Sequence, residues 1–201
     1  MPERILLLTG TREAPHLAAF VRKIAPHLAL DLATSRSEFK RLTERESLAG
    51  TRLLSFLSGI IVPPAVLERL DLAPYNIHPG PPAYPGLFPE AFALADGARE
   101  FGVTVHEMVA EIDAGPIVMA ENFAISPGSD RLALVEAAEQ AAVRLFATLA
   151  HFCVTSDGAL PPLPVAWQGP RRTRADFKRL CARRPDLAHE RDDLVASAFA
   201  R

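Results

Sequence analysis

An asparagine and a histidine stand two residues apart in the segment NIHPGPPAYPG, which covers residues 76–86. On an extended backbone the side chains of Asn76 and His78 point to the same face. An asparagine amide can donate to an oxygen on which negative charge develops, and a histidine can exchange a proton near neutral pH. The prolines and glycines that follow His78 predict a stiff loop, which favours a fixed site. The pair therefore indicates acyl-transfer chemistry.

A third polar residue, Asp113, lies in the turn EIDAGP at residues 111–116. Its carboxylate would orient the His78 imidazole and raise the histidine pKa through its negative charge. Asn76, His78 and Asp113 together predict an acyl-transfer site without a nucleophilic serine or cysteine. On spacing alone, the favoured interpretation is that Asn76 caps a turn and Asp113 ends a strand.

Other interpretations concern the histidines and the known ligand motifs. A metal ion could be held by His78, His106 and Asp113, but no HxH, HExxH or CxxC pattern supports a metal site. His106 lies on an alternating segment, where it is either buried with a hydrogen-bond partner or functional. No GxGxxG or Walker sequence predicts NAD or ATP binding. The remaining histidines are interpreted as packing or surface residues: His16, His27, His151 and His189.

Strands that alternate with helices must position these residues, and they predict an α/β fold with a mostly parallel sheet. Ligands of such sheets bind outside the carboxyl ends of the strands. Predicted strands cover residues 4–10, 28–35, 53–62, 75–78, 102–108 and 117–125. Predicted helices cover residues 11–24, 37–48, 65–70 and 89–96, followed by a long helix from residue 129.

The turn TGTRE after the first strand has two further interpretations. Thr11 is the predicted N-cap of the first helix. The same turn, with Arg12, could hold an anionic group of a substrate at the helix N-terminus.

Composition restricts the class of protein. The chain has 201 residues, of which 49% are hydrophobic, enough for one core, so we expect a domain over residues 1–155 and a linker with a packed extension over residues 156–201. Its formal net charge of −2 gives no electrostatic footprint for nucleic acid. Two distant cysteines favour a reduced, cytoplasmic protein. No apolar run has the ~20 residues of a membrane span.

Three ordered motifs, NIHPGPPAYPG, GVTVHEM (residues 102–108) and EIDAGPIV (residues 111–118), resemble the 10-formyltetrahydrofolate-dependent formyltransferases. That family includes glycinamide ribonucleotide, methionyl-tRNA and sugar N-formyltransferases, and the resemblance covers residues 53–125. It implies a Rossmann-like, three-layer formyltransferase fold, with a mostly parallel sheet flanked by helices and a short C-terminal extension.

The resemblance also implies roles at the site. Asn76 would bind the formyl oxygen, His78 would act as acid, base and electrostatic stabiliser, and Asp113 would support the histidine and the transferred proton. An acceptor amine would attack the formyl carbon, and the resulting oxyanion would be held by Asn76 and His78. The folate would lie against two stretches, formed by Gly59, Ile60, Ile61 and Val62 and by Met108, Val109, Ala110, Glu111 and Ile112. No metal is implied.

Acceptor contacts are expected from the proline loop and from a basic segment. The resemblance assigns substrate binding to Tyr84 and Gly86, although the loop is one residue shorter and richer in proline than the SLLPxYxG of relatives. Arg171 and Arg172 would reach a phosphate or carboxylate, as in the tail of sugar N-formyltransferases. We expect no β-barrel domain of the kind that tRNA-specific relatives carry, and the expected partners are a small-molecule amine and folate rather than tRNA. The resemblance also allows a homodimer.

Three functions remain open from the sequence. The first is formyl transfer to a small-molecule amine, such as an amino sugar or a nucleotide-linked amine. The second is formyl transfer to a thiol or to water, as in hydrogenase-maturation proteins. The third is a folate-binding module without turnover, against which the complete set of Asn76, His78 and Asp113 argues.

Overall fold

The structure, a computed structural model, describes residues 1–44 and 47–188 of the chain. Within those ranges one sheet is flanked by helices. The strands are β1 (Arg4–Thr9), β2 (Ala29–Ala33), β3 (Thr51–Phe56), β4 (Tyr75–His78), β5 (Glu100–Glu107) and β6 (Ile117–Ala124). The helices are α1 (Ala14–Ile24), α2 (Arg36–Thr43), α3 (Pro64–Leu67), α4 (Pro89–Ala95), α5 (Arg131–Thr155) and α6 (Arg174–Arg183), followed by a 3-10 turn (Pro185–Leu187).

The sheet has the strand order β2-β1-β3-β4-β5-β6. The pairs β1–β2, β1–β3 and β3–β4 are parallel, whereas β5 runs antiparallel to both β4 and β6. The predicted α/β class with a mostly parallel sheet is therefore confirmed. The carboxyl ends of β1, β3 and β4 share one edge of the sheet, where the ligand of such a fold is expected.

Strand β1 shows why the fold has three layers. Ile5 and Leu7 pack into the apolar cluster formed with α1 and α5, whereas Leu6 and Leu8 pack into a second cluster with α2 on the opposite face. An apolar run buried on both faces is typical of a parallel strand covered by helices on each side. Burial of each such leucine or isoleucine stabilises the fold by about 1.5–3 kcal/mol.

Several predicted boundaries differ from the observed ones, among them the end of β3, the start of α1 and the end of α2. Strand β3 ends at Phe56 rather than at residue 62, because Leu57 adopts a positive φ of 48° that turns the chain out of the sheet. Helix α1 begins at Ala14, its N-cap is Glu13, and Thr11 is not the cap. The predicted helix over residues 37–48 ends at Thr43, and residues 45 and 46 lie outside the described residues.

A buried arginine connects the sheet to the chain that follows α5. Arg52 of β3 is fully buried and donates to the carbonyls of Ala73, Ser156 and Gly158 at 2.9, 2.8 and 3.0 Å. The hydroxyl of Tyr75 accepts from the amide of Leu160 at 2.7 Å. These bonds fix the point from which the chain crosses back over the sheet edge.

Residues 160–172, called the strap here, run across the loops at that edge without forming a helix or strand of their own. Main-chain amides of the strap bond to these loops: Leu163 donates to Ile117, Gln168 to Pro82 and Arg172 to Pro85, at 2.7–2.8 Å. The strap leads into α6, which begins with a capping box between Thr173 and Asp176.

Helix α6 is docked by a group of residues called the Arg131 cluster. The ring of Phe177 stacks on Phe88 at 4.0 Å, and the Arg131 guanidinium lies within about 5 Å of both rings. Arg131 also contacts Glu90 at 2.7 and 2.8 Å and donates to the Leu187 carbonyl at 3.0 Å. The predicted packed extension continues to residue 201, but residues 189–201, including His189, lie outside the described residues.

No helix in the described ranges has both the length and the apolar content needed to span a membrane.

Candidate active site

Asn76, His78 and Asp113 lie together at the carboxyl end of β4. The imidazole Nδ1 of His78 lies 3.7 Å from the Asp113 carboxylate, whose other oxygen lies 3.4 Å from Nε2 of His106. His106 belongs to β5 and pairs with Asn76 across the sheet, where the Asn76 amide nitrogen lies 3.1 Å from His106 Nε2. The side chains thus form a chain in the order Asn76, His106, Asp113, His78.

Hydrogen bonds to main-chain carbonyls assign the protons of both imidazoles. Nε2 of His78 lies 3.0 Å from the Tyr84 carbonyl oxygen, which can only accept, so Nε2 carries a proton. Nδ1 of His106 lies 2.9 Å from the Glu107 carbonyl oxygen and carries a proton for the same reason. A neutral His78 therefore has its lone pair at Nδ1, facing Asp113. A neutral His106 has its lone pair at Nε2 and accepts from the Asn76 amide.

The position of Asp113 depends on its unusual backbone. Asp113 has a φ of 49°, in the left-handed region that aspartate tolerates better than most residues. Its carboxylate accepts from the Gly86 amide at 2.8 Å, which ties the turn to the proline loop. Two residues later a Cβ at Gly115 would overlap the Glu107 carbonyl, so that position requires glycine.

Burial dominates the electrostatics of His78. Its side chain is 4% exposed, and loss of hydration lowers its pKa below the ordinary value, although Asp113 and the bond to Tyr84 act in the opposite direction. The expected effect of Asp113, which raises this pKa, is therefore present, but the loss of hydration outweighs it. Burial opposes ionisation of Asp113 too, but His106, His78 and the Gly86 amide together hold its pKa below the usual range. Near neutral pH the site combines a neutral His78 with an ionised Asp113.

A tryptophan that the sequence reasoning did not assign to the site covers both imidazoles. The Trp167 ring lies 5.6 Å from the His78 ring and 5.1 Å from the His106 ring, nearly perpendicular to each. Its Nε1 donates to the Gly115 carbonyl at 2.9 Å. The only sequence signal for this contact is that Trp167 is the sole tryptophan of the chain, in an irregular, proline-rich segment.

The proline loop contributes main-chain groups rather than side chains. Tyr84 places its carbonyl on His78, while its phenol forms a hydrogen bond with Asp96. Gly86 has a φ of 97°, and a Cβ there would overlap the Arg172 backbone, with which it forms an isolated bridge. These two predicted substrate-binding residues shape the site through the backbone.

A cavity of about 480 Å³ lies beside Asp113. The 111–117 turn forms one wall and the strap forms the other, with Trp167 and Arg171 among the lining residues. Glu111 and Ile112, two of the residues predicted to bind folate, also line it. Asp113 is itself among the residues that line this cavity.

The two predicted folate-binding stretches lie close together. Ile60, Val62 and Met108 pack against the same apolar cluster on the α2 face of the sheet. Ile61 and Val109 expose 53% and 39% of their surface to solvent. Residues 59–62 and 108–112 lie outside helix and strand, so an apolar ring with polar edges would find both apolar side chains and main-chain groups there.

The predicted anion-binding residues fall in different surroundings. Arg12 contacts Glu139 of α5 at 2.8 Å and its neighbour Glu13 at 3.1 Å, and Thr11 precedes it in the exposed turn. The Arg172 guanidinium lies 4.6 Å from the Phe92 ring, whereas Arg171 is exposed at the cavity beside Asp113. Of the four, the structure brings Arg171 to the cavity beside the site.

Metal ligation has no support in the geometry. In residues 1–44 and 47–188 no group of three or more His, Cys, Asp or Glu side chains is arranged to hold a metal ion.

Comparison with known sequences identifies one family. Residues 53–149 match the family described as formyl transferase. The chain is 34% identical over 140 residues to dTDP-4-amino-4,6-dideoxyglucose formyltransferase of Mycobacterium tuberculosis (strain ATCC 25618 / H37Rv), covering 67% of this chain and 55% of that protein. It is 34% identical over 125 residues to methionyl-tRNA formyltransferase of Synechococcus sp. (strain JA-3-3Ab), covering 61% and 38%. The chain therefore spans about half or less of the length of these relatives.

Solved structures share the fold. A sugar N-formyltransferase from Shewanella sp. FDAARGOS_354 superposes with a TM-score of 0.71 at 19% identity, covering 89% of this chain and 79% of that one. An N-formyltransferase from Helicobacter canadensis, in complex with folinic acid and dTDP-3-aminofucose, gives 0.67 at 18% identity, covering 88% and 72%. At these identities the likeness establishes the fold alone.

Proposed function

Because residues 53–149 place this chain in the formyl transferase family, we propose that it transfers a formyl group from 10-formyltetrahydrofolate to the amine of a small molecule, an amino sugar carried by a nucleotide foremost. The observation that carries the proposal is the meeting of Asn76, His78 and Asp113 beside a cavity of about 480 Å³. The relative from M. tuberculosis and the complex from H. canadensis, both named for amino sugars, support this acceptor class.

The stretches at residues 59–62 and 108–112 would hold the folate, which supplies an activated formyl carbon when bound. Their exposed Ile61 and Val109 provide apolar contact, and their irregular backbone provides donors and acceptors for the polar edge of a pterin ring. The balanced reaction moves one formyl group to the acceptor nitrogen, while that nitrogen loses one proton and the folate nitrogen gains one.

Asn76 is the proposed oxyanion donor. Its amide nitrogen has two hydrogens, and His106 Nε2 accepts one of them at 3.1 Å. The second hydrogen is thereby oriented and remains available for the oxygen on which charge develops. A donor that is held before the reaction costs no reorganisation in the transition state.

Asp113 and His78 are the proposed proton-handling pair. Asp113 is among the residues that line the cavity, and its carboxylate is the proposed contact of the acceptor amine. His78 is neutral near pH 7, and its free lone pair at Nδ1 faces Asp113 at 3.7 Å. The proton released by the amine would therefore be held between Asp113 and Nδ1 of His78 until the leaving nitrogen takes it.

The test is an assay for tetrahydrofolate formation from 10-formyltetrahydrofolate with a panel of nucleotide-linked amino sugars. The matched control compounds carry a hydroxyl in place of the amine, and the control protein is Asp113→Asn. Tetrahydrofolate and a formamide product formed with an amino sugar alone would support the proposal. Formate released without any acceptor would replace it with hydrolysis, and folate binding without turnover would replace it with a binding module.

A methionyl-tRNA arm in the same panel decides the acceptor class. Formylation of charged tRNA but of no amino sugar would overturn the small-molecule acceptor while leaving the transfer chemistry in place.

A further inference from the structure

Over most of the length of the strap, a single side chain is withdrawn from solvent. Residues 161–171 are all exposed except Trp167, which is half-buried. The strap otherwise holds to the neighbouring loops through main-chain amides. Within residues 161–171, Trp167 is therefore the side chain through which the strap contacts the residues beneath it.

The indole contacts the site at three points. Nε1 donates to the Gly115 carbonyl in the turn that carries Asp113, and the ring meets the imidazoles of His78 and His106 nearly perpendicularly. Perpendicular aromatic contacts have a preferred geometry, so a fixed indole restrains the rotation of both neighbouring rings. The contacts join the turn, β4 and β5, which together supply the proposed machinery.

We infer that Trp167 is a positioning residue of the active site, which holds the His78 and His106 rings in register with Asp113 and Asn76. The inference rests on the proposed function. The two ring nitrogens of His78 are already engaged, because Nε2 is bound to the Tyr84 carbonyl and Nδ1 faces Asp113. The indole contacts the imidazole in addition to these two groups. His106 is held in the same way between the Glu107 carbonyl, Asn76 and the indole.

Loss of the indole should change the state of His78 as well as the rate. The charged and titratable groups that face His78 are Asp113 from the turn and His106 from β5, and the Tyr84 carbonyl faces it from the proline loop. Removing the indole leaves these groups in place but admits water to the imidazole. Hydration favours the charged form, so the pKa of His78 should rise towards its ordinary value.

The experiment compares Trp167→Leu and Trp167→Phe with Gln168→Ala, the matched control on the same strap. Gln168 is exposed and bonds to Pro82 through its main-chain amide, which the control keeps. Imidazole nitrogen shifts in NMR spectra would be followed against pH for each protein, together with kcat and KM for the formyl acceptor.

For Trp167→Leu we expect a higher His78 pKa, a mixture of His78 tautomers and a kcat lowered by about 10–100-fold, with a smaller change in the KM for the formyl acceptor. Trp167→Phe keeps an aromatic ring but loses the bond to Gly115, so it should fall between wild type and Trp167→Leu. Gln168→Ala should match wild type. Wild-type tautomers, titration and kcat in a folded Trp167→Leu protein would overturn the inference.

Two features keep the test decisive. The imidazole titration needs no turnover, so an inactive wild-type protein would count against the proposed function while the shifts still test Trp167. If Trp167→Leu does not fold, the tryptophan fluorescence of the wild-type protein tests the contact instead, because Trp167 is the sole tryptophan. Its emission should fall as His78 becomes charged, and this pH dependence should be weaker in His78→Ala. A pH-independent wild-type emission would contradict the contact.

Discussion

Two buried charged clusters of this molecule differ in the lengths of the contacts between their charged groups. In the Arg131 cluster, the guanidinium contacts Glu90 at 2.7 and 2.8 Å and the Leu187 carbonyl at 3.0 Å, between two phenylalanine rings. In the site, the carboxylate of Asp113 lies 3.4 and 3.7 Å from two imidazoles and borders a cavity. Short, complementary contacts commit the first cluster to holding α4, α5 and α6 together. The longer contacts between Asp113 and the two imidazoles, beside a cavity, suit the substrate-binding role proposed for the second cluster.

The largest effect is expected from a substitution that breaks the Arg131 cluster. Glu90→Ala removes the carboxylate that Arg131 contacts and leaves a cation in a mostly buried position. We expect the free energy of unfolding to fall by about 3–5 kcal/mol, measured by urea denaturation.

The matched control is Glu136→Ala, an exposed glutamate on α5, which should unfold close to wild type. Replacing both partners, as Glu90→Leu with Arg131→Met, should recover most of the loss, because paired apolar groups need no charge compensation. An unaltered unfolding midpoint in Glu90→Ala would remove the structural role assigned to this cluster.

The second effect concerns the site. His78→Ala and Asp113→Asn should each lower turnover by at least about 100-fold, because they remove the proton-handling pair. Their loss of stability should be smaller than that of Glu90→Ala, because Asp113 keeps its contacts with Gly86 and His106 in His78→Ala and Asp113→Asn introduces no buried charge. Steady-state rates and urea midpoints of the same preparations check both statements, with the exposed His16→Ala as control. Near-wild-type turnover in both variants would exclude the proposed mechanism.

The third effect is a pH dependence of stability. The pKa of folded His78 lies below its ordinary value of 6.5, so between 6.5 and the folded pKa the unfolded chain binds more protons than the native protein. Stability should therefore decrease as the pH falls through this window. Asp113, whose folded pKa lies below 3.8, stabilises the fold above that value and loses its contribution as the pH falls further.

Urea midpoints at pH 7.5 and 5.5 check the His78 part of this prediction. The difference between the two midpoints should shrink in His78→Ala. An equal difference in wild type and variant would mean that His78 is not protonated on unfolding in this range.

The smallest effect is expected at Arg12. Its guanidinium is exposed and bound to Glu139 and Glu13, so Arg12→Ala should change the KM of a phosphate-bearing acceptor by less than about threefold. Arg171→Ala, at the cavity, should raise that KM more. An increase of about tenfold for Arg12→Ala alone would restore the anion-binding role that the sequence suggests for the first turn.

Local patterns predicted the strands and the three proposed catalytic residues, because a buried parallel strand is an apolar run and the His78 motif is continuous in sequence. The end of β3 was not predictable, since the positive φ of Leu57 belongs to no sequence signature. The net lowering of the His78 pKa was not predictable either, because burial is a property of the packed fold. Trp167 and His106 reach the site through contacts between distant segments, which periodicity does not encode.

The strap has a consequence for the order of biosynthesis. Because a chain is made from its N-terminus, every strand of the sheet is translated before Trp167 and Arg172. In a nascent chain halted before residue 160, His78, His106 and Asp113 would not yet be covered by the Trp167 indole. The cavity gains its second wall only when the strap crosses the proline loop and pairs with Gly86. We therefore expect the complete site to form after the sheet has formed.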